Sequence, residues 1–270
     1  MDAADKTFAG SIPELYDRHL VPLIFQAYAD DLAGRVAPLD PIDVLETAAG
    51  TGALTRSLAA QLPAAARIVA TDLNQPMLDR NRMHLAEDPR LSWRPADALA
   101  LPFPDRSFDV VAAQFGVMFF PDKVQGFREA RRVLRDGGHF LFNVWDDLAA
   151  NEFSDVVIQA MATVFPDDPP RFLARTPHGY CDADRIRADL EAGGLTKIDI
   201  EVVEHRSRAS SPQLAATALC QGTPLRNEIE ARDPARLPEA TEAAALLLAK
   251  RFGEGPIEGR MRALVVSASE

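Results

Sequence analysis

Short unbroken apolar runs and longer stretches of helical spacing take turns along this chain. The runs are Ile42 to Leu45, Arg67 to Asp72, one opening at Leu91, one opening at Phe108 and one from His139 to Asp146. A run of this length bounded by polar or turn residues reads as a buried strand. Between them apolar residues return every three or four positions, over Ala53 to Gln61, from Leu73 through Leu78, and from Asp122 to about Leu134. Strand and helix in alternation predict an α/β fold with a largely parallel sheet. Farther along, helices are expected over Glu152 to Val164, Ala183 to Glu191 and Glu239 to Phe252, and two edge strands over Lys197 to Glu204 and Arg262 to Ser267.

The junction after the first strand carries the first chemical signal. Val44-Leu45-Glu46-Thr47-Ala48-Ala49-Gly50-Thr51-Gly52 places an acidic residue at the strand end and a Gly-x-Gly turn before the helix. Glycines there permit a tight turn and let a ligand approach the backbone. The following helix points its first N–H groups at the same place. A dinucleotide fingerprint asks for a third glycine, and Thr55 stands in that position.

Two later strands also end in acids. Asp72 closes the second, positioned to accept both hydroxyl protons of a ribose diol. Asn74 and Pro76 follow, suited to the cap and first turn of the next helix. Asp97 and Ala98 end the third, ahead of the loop Leu101-Pro102-Phe103-Pro104-Asp105 and the fourth strand. Gln114 and Phe115 close that strand, and Gly137-Gly138 provides a turn into the fifth.

Glu-x-Ala-x-Gly-Thr-Gly resembles motif I of the class I S-adenosylmethionine (SAM) methyltransferases. The phrase from Leu101 to Val111 is similar to the "lPFpdxsFDvV" run of the ubiquinone and menaquinone biosynthesis type. The resemblance covers Pro41 to Asp146. It implies a Rossmann-like sheet, mostly parallel with a late antiparallel strand, with helices on both faces and helical cap insertions. It implies SAM as cofactor, with Glu46, Ala48, Gly50, Thr51 and Gly52 at the aminoacyl end. Asp72 then serves the ribose, Asp97 and Ala98 the adenine, and Gln114 and Phe115 the methionine part, with Leu73 and Met77 also among the cofactor-binding residues. Two other classes share parts of the pattern: a SAM-binding protein without transfer activity, and a nicotinamide-dependent oxidoreductase.

Composition narrows the acceptor more than the chemistry. Among 270 residues, 29 Lys and Arg stand against 40 Asp and Glu, a net charge of −11. Nucleic-acid binding depends on clustered cations, and no basic stripe is present, so a small-molecule acceptor is expected. Two cysteines, Cys181 and Cys220, have no paired spacing and imply neither a disulfide framework nor a metal site. No apolar run reaches the ~18 residues of a membrane span, and a cytoplasmic location is expected.

Acceptor specificity has to come from outside the strand ends. One domain is expected, with an N-terminal helix over 11–34, a core over 41–146 and cap insertions over about 147–181 and 211–259. In the first helix Ser11 and Glu14 have capping-box spacing, and Tyr16, His19, Phe25 and Tyr28 are candidates to line the site. Trp145, His178 and Tyr180 join Tyr16 and His19 as the acceptor-side set, with His178 a candidate base and the loop around it expected at the surface. The Ala243 to Ala249 run either lends an apolar cap face to the acceptor pocket, as the resemblance implies, or packs into the core or against another subunit, which leaves a homodimer open.

Overall fold

The computed structural model describes residues 12–85 and 87–270, so Ser11 lies outside the described residues. The chain is helical from α1 (Ile12–Leu15) through a π-helical stretch (Tyr16–Phe25) into α2 (Gln26–Val36). Then come β1 (Asp43–Glu46), α3 (Ala53–Gln61), β2 (Arg67–Asp72), α4 (Gln75–Leu85), β3 (Leu91–Pro95) and β4 (Phe108–Gln114). After these follow α5 (Lys123–Val133), β5 (Leu134–Trp145), α6 (Glu152–Val164), α7 (Phe172–Arg175), α8 (Ala183–Ala192) and β6 (Lys197–Ala209). The last elements are α9 (Pro212–Gln221), α10 (Leu225–Arg232), α11 (Leu237–Phe252) and β7 (Ile257–Ser269). The N-terminal helix expected as one α-helix thus contains a π-helical segment, and Pro22 sits inside it. Proline has no N–H to donate, and a wider turn is one way a helix absorbs the missing bond.

These elements form two compact units. The sheet unit takes residues 26–145, 180–203 and 263–270. Its seven strands lie in the order β3-β2-β1-β4-β5-β7-β6. β3, β2, β1, β4 and β5 pair in parallel, and β7 runs antiparallel to β5. The strand order therefore reverses between β1 and β4, the place where open α/β sheets receive ligands. Val44, Leu45, Val110, Val111, Phe140 and Phe142 fill the sheet interior, and Phe127 of α5 lies against the last two.

Two expectations change here. The Gly137-Gly138 turn before the fifth strand is a bulge within β5: Leu134 pairs with Phe108 and His139 with Val110, so six residues oppose three. Gly137 supplies the positive φ of 77° that the detour needs. β7 is not an edge strand, because it enters between β5 and β6.

The second unit takes residues 12–25, 146–179 and 204–262. Its core is α6, α9 and α11 packed together. Ala244, Ala245 and Leu248 of α11 are buried, as are Ala215, Ala216 and Leu219 of α9, and small side chains let the helices close up. The alanine-rich run thus packs within its own unit on one face, while Leu246 on the other is exposed.

Candidate cofactor site

The switch point collects the acids that the strand ends were expected to carry. Glu46, at the end of β1, is fully buried, and its Oε2 accepts the Thr55 hydroxyl at 2.6 Å. Thr55 in turn accepts Asn81 Nδ2 at 2.9 Å, and Asn81 Oδ1 accepts Trp93 Nε1 at 3.0 Å. The residue standing where a dinucleotide fingerprint has glycine thus ties the acid to α4 and β3. Burial raises the Glu46 carboxyl to about 8, with the Asp72 charge adding to the rise.

The glycine turn is fixed from two sides. Gly50 and Gly52 stand at φ 55° and 89°. A Cβ on Gly52 would lie 2.5 Å from the Asn81 side chain, and one on Gly50 would lie 3.6 Å from Met77 Cε. Gly50 N–H donates to Asp72 Oδ2 at 2.9 Å, and Asn74 N–H donates to Oδ1 at 2.8 Å. Asp72 is buried, which raises its carboxyl above the ordinary range, while the backbone bonds pull it back. Oδ1 also accepts Asn74 Nδ2 at 3.3 Å, so of the about four acceptor sites that a carboxylate offers, Oδ2 keeps one for a further donor.

Neighbouring strand ends carry the remaining candidates. The end of β3 is tied in by Ala96 N–H donating to the Asp72 carbonyl at 3.1 Å. Asp97 is exposed and its Oδ1 accepts Leu99 N–H at 2.9 Å, closing a local turn around Ala98. Leu73 is exposed, an apolar side chain left in the open at the end of β2. Gln114 is half-buried at the end of β4, and Phe115 is buried.

Strain marks the same region. Ala48 and Phe115 both adopt positive φ, 53° and 50°, which non-glycine residues seldom do and which clusters at functional sites. The two turns abut, because a Cβ on Gly116 would fall 2.4 Å from Ala48 Cβ. The Phe115 ring stacks on Trp145 with centroids 3.8 Å apart, and Tyr28 meets both edge-on.

The acceptor-side candidates are shared between the two units. Trp145 and Tyr180 belong to the sheet unit, Tyr16, His19 and His178 to the other. Tyr16 stacks on Phe25, and both it and His19 are half-buried. The expected surface loop at 178–180 is corrected, for both side chains are buried. His178 Nδ1 lies 2.8 Å from the Asp146 carbonyl, which can only accept, so Nδ1 bears the proton. Burial holds that imidazole down at about 4. The Tyr180 hydroxyl donates to Asp189 at 2.8 Å, and Lys123 sits over its ring.

Three residues escaped the sequence pattern: Thr55, Asn81 and Asn143. Asn81 shares the buried helical face of Met77 and Leu78, and Asn143 interrupts an apolar strand. A polar residue at a position whose spacing demands an apolar one was the available signal. Thr51 Oγ1 is buried beside the glycine turn and has no hydrogen-bond partner among the described residues. A glycine cradle and an unsatisfied hydroxyl fit a polar ligand that lies against the turn.

Comparison with known proteins identifies the family and the fold. A family described as a methyltransferase domain matches residues 45–142. The ubiquinone/menaquinone biosynthesis C-methyltransferase of Burkholderia cenocepacia is 34% identical over 167 residues, 57% of this chain and 68% of that protein. Its counterpart from Hahella chejuensis is 32% identical over 164 residues, 56% of this chain and 66% of that one. Among solved structures, the YcgJ protein of Bacillus subtilis superposes with a TM-score of 0.57 at 18% identity, covering 90% of this chain and 99% of its own.

Proposed function

The chain belongs to the class I S-adenosylmethionine-dependent methyltransferases, and we propose that it delivers the methyl group to a small organic acceptor at the carboxyl ends of β1 and β4. The observation that carries the placement is the joint between the Gly50 N–H and the Asp72 carboxylate. One bond ties the glycine turn to the acid that takes the ribose diol, so both halves of the cofactor cradle hold a fixed spacing. Thr51 Oγ1 supplies a further buried polar contact.

When bound, SAM supplies a methyl group made electrophilic by its sulfonium. The protein positions and desolvates. Gly50 and Gly52 bring backbone against the aminoacyl end, and Glu46 holds the turn through Thr55. Leu73 covers an adenine face, while Asp97 and the Ala98 N–H meet its edge. Gln114 and Phe115 lie toward the methyl group, and the stack of Phe115 on Trp145 keeps water from that end of the sheet. Holding two reactants in line is worth effective molarities of about 10⁵ M or more in favourable cases. The relatives named for quinone biosynthesis make an electron-rich aromatic ring the first acceptor to try.

Thermal melts with SAM, S-adenosylhomocysteine and NAD test the cofactor assignment. The first two should add ~2.7 kcal/mol at about 100 times their dissociation constants. Stabilisation by NAD alone would overturn it. Transfer of labelled methyl from SAM to a naphthohydroquinone probe tests the ring, and labelling of a different class of small molecule in a metabolite extract would redirect the acceptor.

A further inference from the structure

The turn that ends β4 is held by a neighbour. Phe115 stands at φ 50°, a conformation in which bulky side chains are outliers. Its N–H donates to Asn143 Oδ1 at 2.9 Å as well as to the Asn143 carbonyl at 3.2 Å. Asn143 lies on β5 in register with Gln114 and is 0% exposed.

An N–H facing the side-chain amide fixes which end is oxygen. The other end, Nδ2, has no hydrogen-bond partner among the described residues. A buried donor left unsatisfied works against stability, and its neighbours Phe142 and Val144 show what packing alone would select there. The oxygen is what this position keeps the amide for.

We propose that Asn143 is a positioning residue for methyl transfer, holding the Phe115 turn in its left-handed form beside the methionine end of the bound cofactor. The turn has little room to move on its other side, where Gly116 meets Ala48. The ring it carries is stacked on Trp145. A shift at the Phe115 backbone would thus displace the residues nearest the methyl group while leaving Asp72, on β2, and Asp97, in the loop after β3, untouched.

The inference rests on the cofactor placement above, and three ligands separate the two. Calorimetry on the full chain would measure SAM, S-adenosylhomocysteine and adenosine. Asn143→Leu should weaken the first two about tenfold or more and leave adenosine within about twofold. Asn143→Asp, which keeps the acceptor and the shape, should stay within about threefold for all three. Asn143→Ala reads the same loss if the leucine variant does not fold. Equal weakening of all three ligands, or none, would overturn the positioning role. Native protein that bound no SAM would overturn the placement and the inference together.

Discussion

Glu46 sits where water does not reach, and its acidity sets how the ligand-free protein responds to pH. An ordinary glutamate ionises near 4.5, whereas this one holds its proton to about 8. The folded state thus binds a proton that the unfolded chain has released, so stability falls as pH rises through that window. His178 acts with opposite sign: neutral in the fold down to about 4, it makes stability rise with pH up to about 6.5. Urea titrations of native protein and Glu46→Gln from pH 5 to 8.5 separate the two, because the difference between them should grow with pH. A constant difference would remove Glu46 as the source. At Asp72, Ala substitution should weaken SAM more than Asp97→Ala does, and it should also lower the melting temperature. The second effect arises because the carboxylate anchors Gly50 and Asn74 N–H groups even without ligand, each such bond being worth about 1–3 kcal/mol. Equal SAM affinity in both variants would remove the ribose role. Glu46 and Asp72 were legible because an acid ending an apolar run is conspicuous. Thr55, Asn81 and Asn143 were not, because their partners come from other elements and only the fold brings them together. The partner of the Tyr180 hydroxyl, Asp189 of α8, was hidden for the same reason.

At the scale of elements, helix starts were the most readable feature. Asp122 caps α5 by accepting Gln125 N–H, and Asp182 caps α8 as its place before Ala183 predicts. Strand ends were less so, since β5 begins before its bulge and β6 and β7 outrun their expected limits. Apolar periodicity marks a core-facing strand but fades where one face is exposed, as on β6. The turn between β1 and α3 should tolerate almost nothing at Gly52. Alanine there meets both a φ of 89° and the Asn81 side chain, so SAM binding and the Glu46–Thr55–Asn81 chain should fail together. A Gly52→Ala protein with native SAM affinity would show the cradle to be softer than its geometry implies. Phe127→Ala, which empties a site packed against Phe140 and Phe142, should cost about 3–5 kcal/mol in denaturant melts without changing which ligands bind.

For the whole molecule, the parallel core and its switch point followed from strands and helices in alternation, while the final strand order did not. β7 follows β6 along the chain yet lies between β5 and β6. Nothing in local periodicity encodes that choice, because either order buries the same apolar faces. The placement has a kinetic side. Until the segment 263–270 has been synthesised, β5 lacks its antiparallel partner, and Phe140 to Trp145 present an unpaired edge to other nascent chains. Loop closure across so much intervening sequence is slow compared with forming a hairpin. A ribosome-arrested chain ending at residue 262 should therefore be cut quickly by protease within β5, and emergence of residues 263–270 should confer resistance in one late step. Early resistance, before those residues emerge, would mean that the first strands form a stable sheet without waiting for the last.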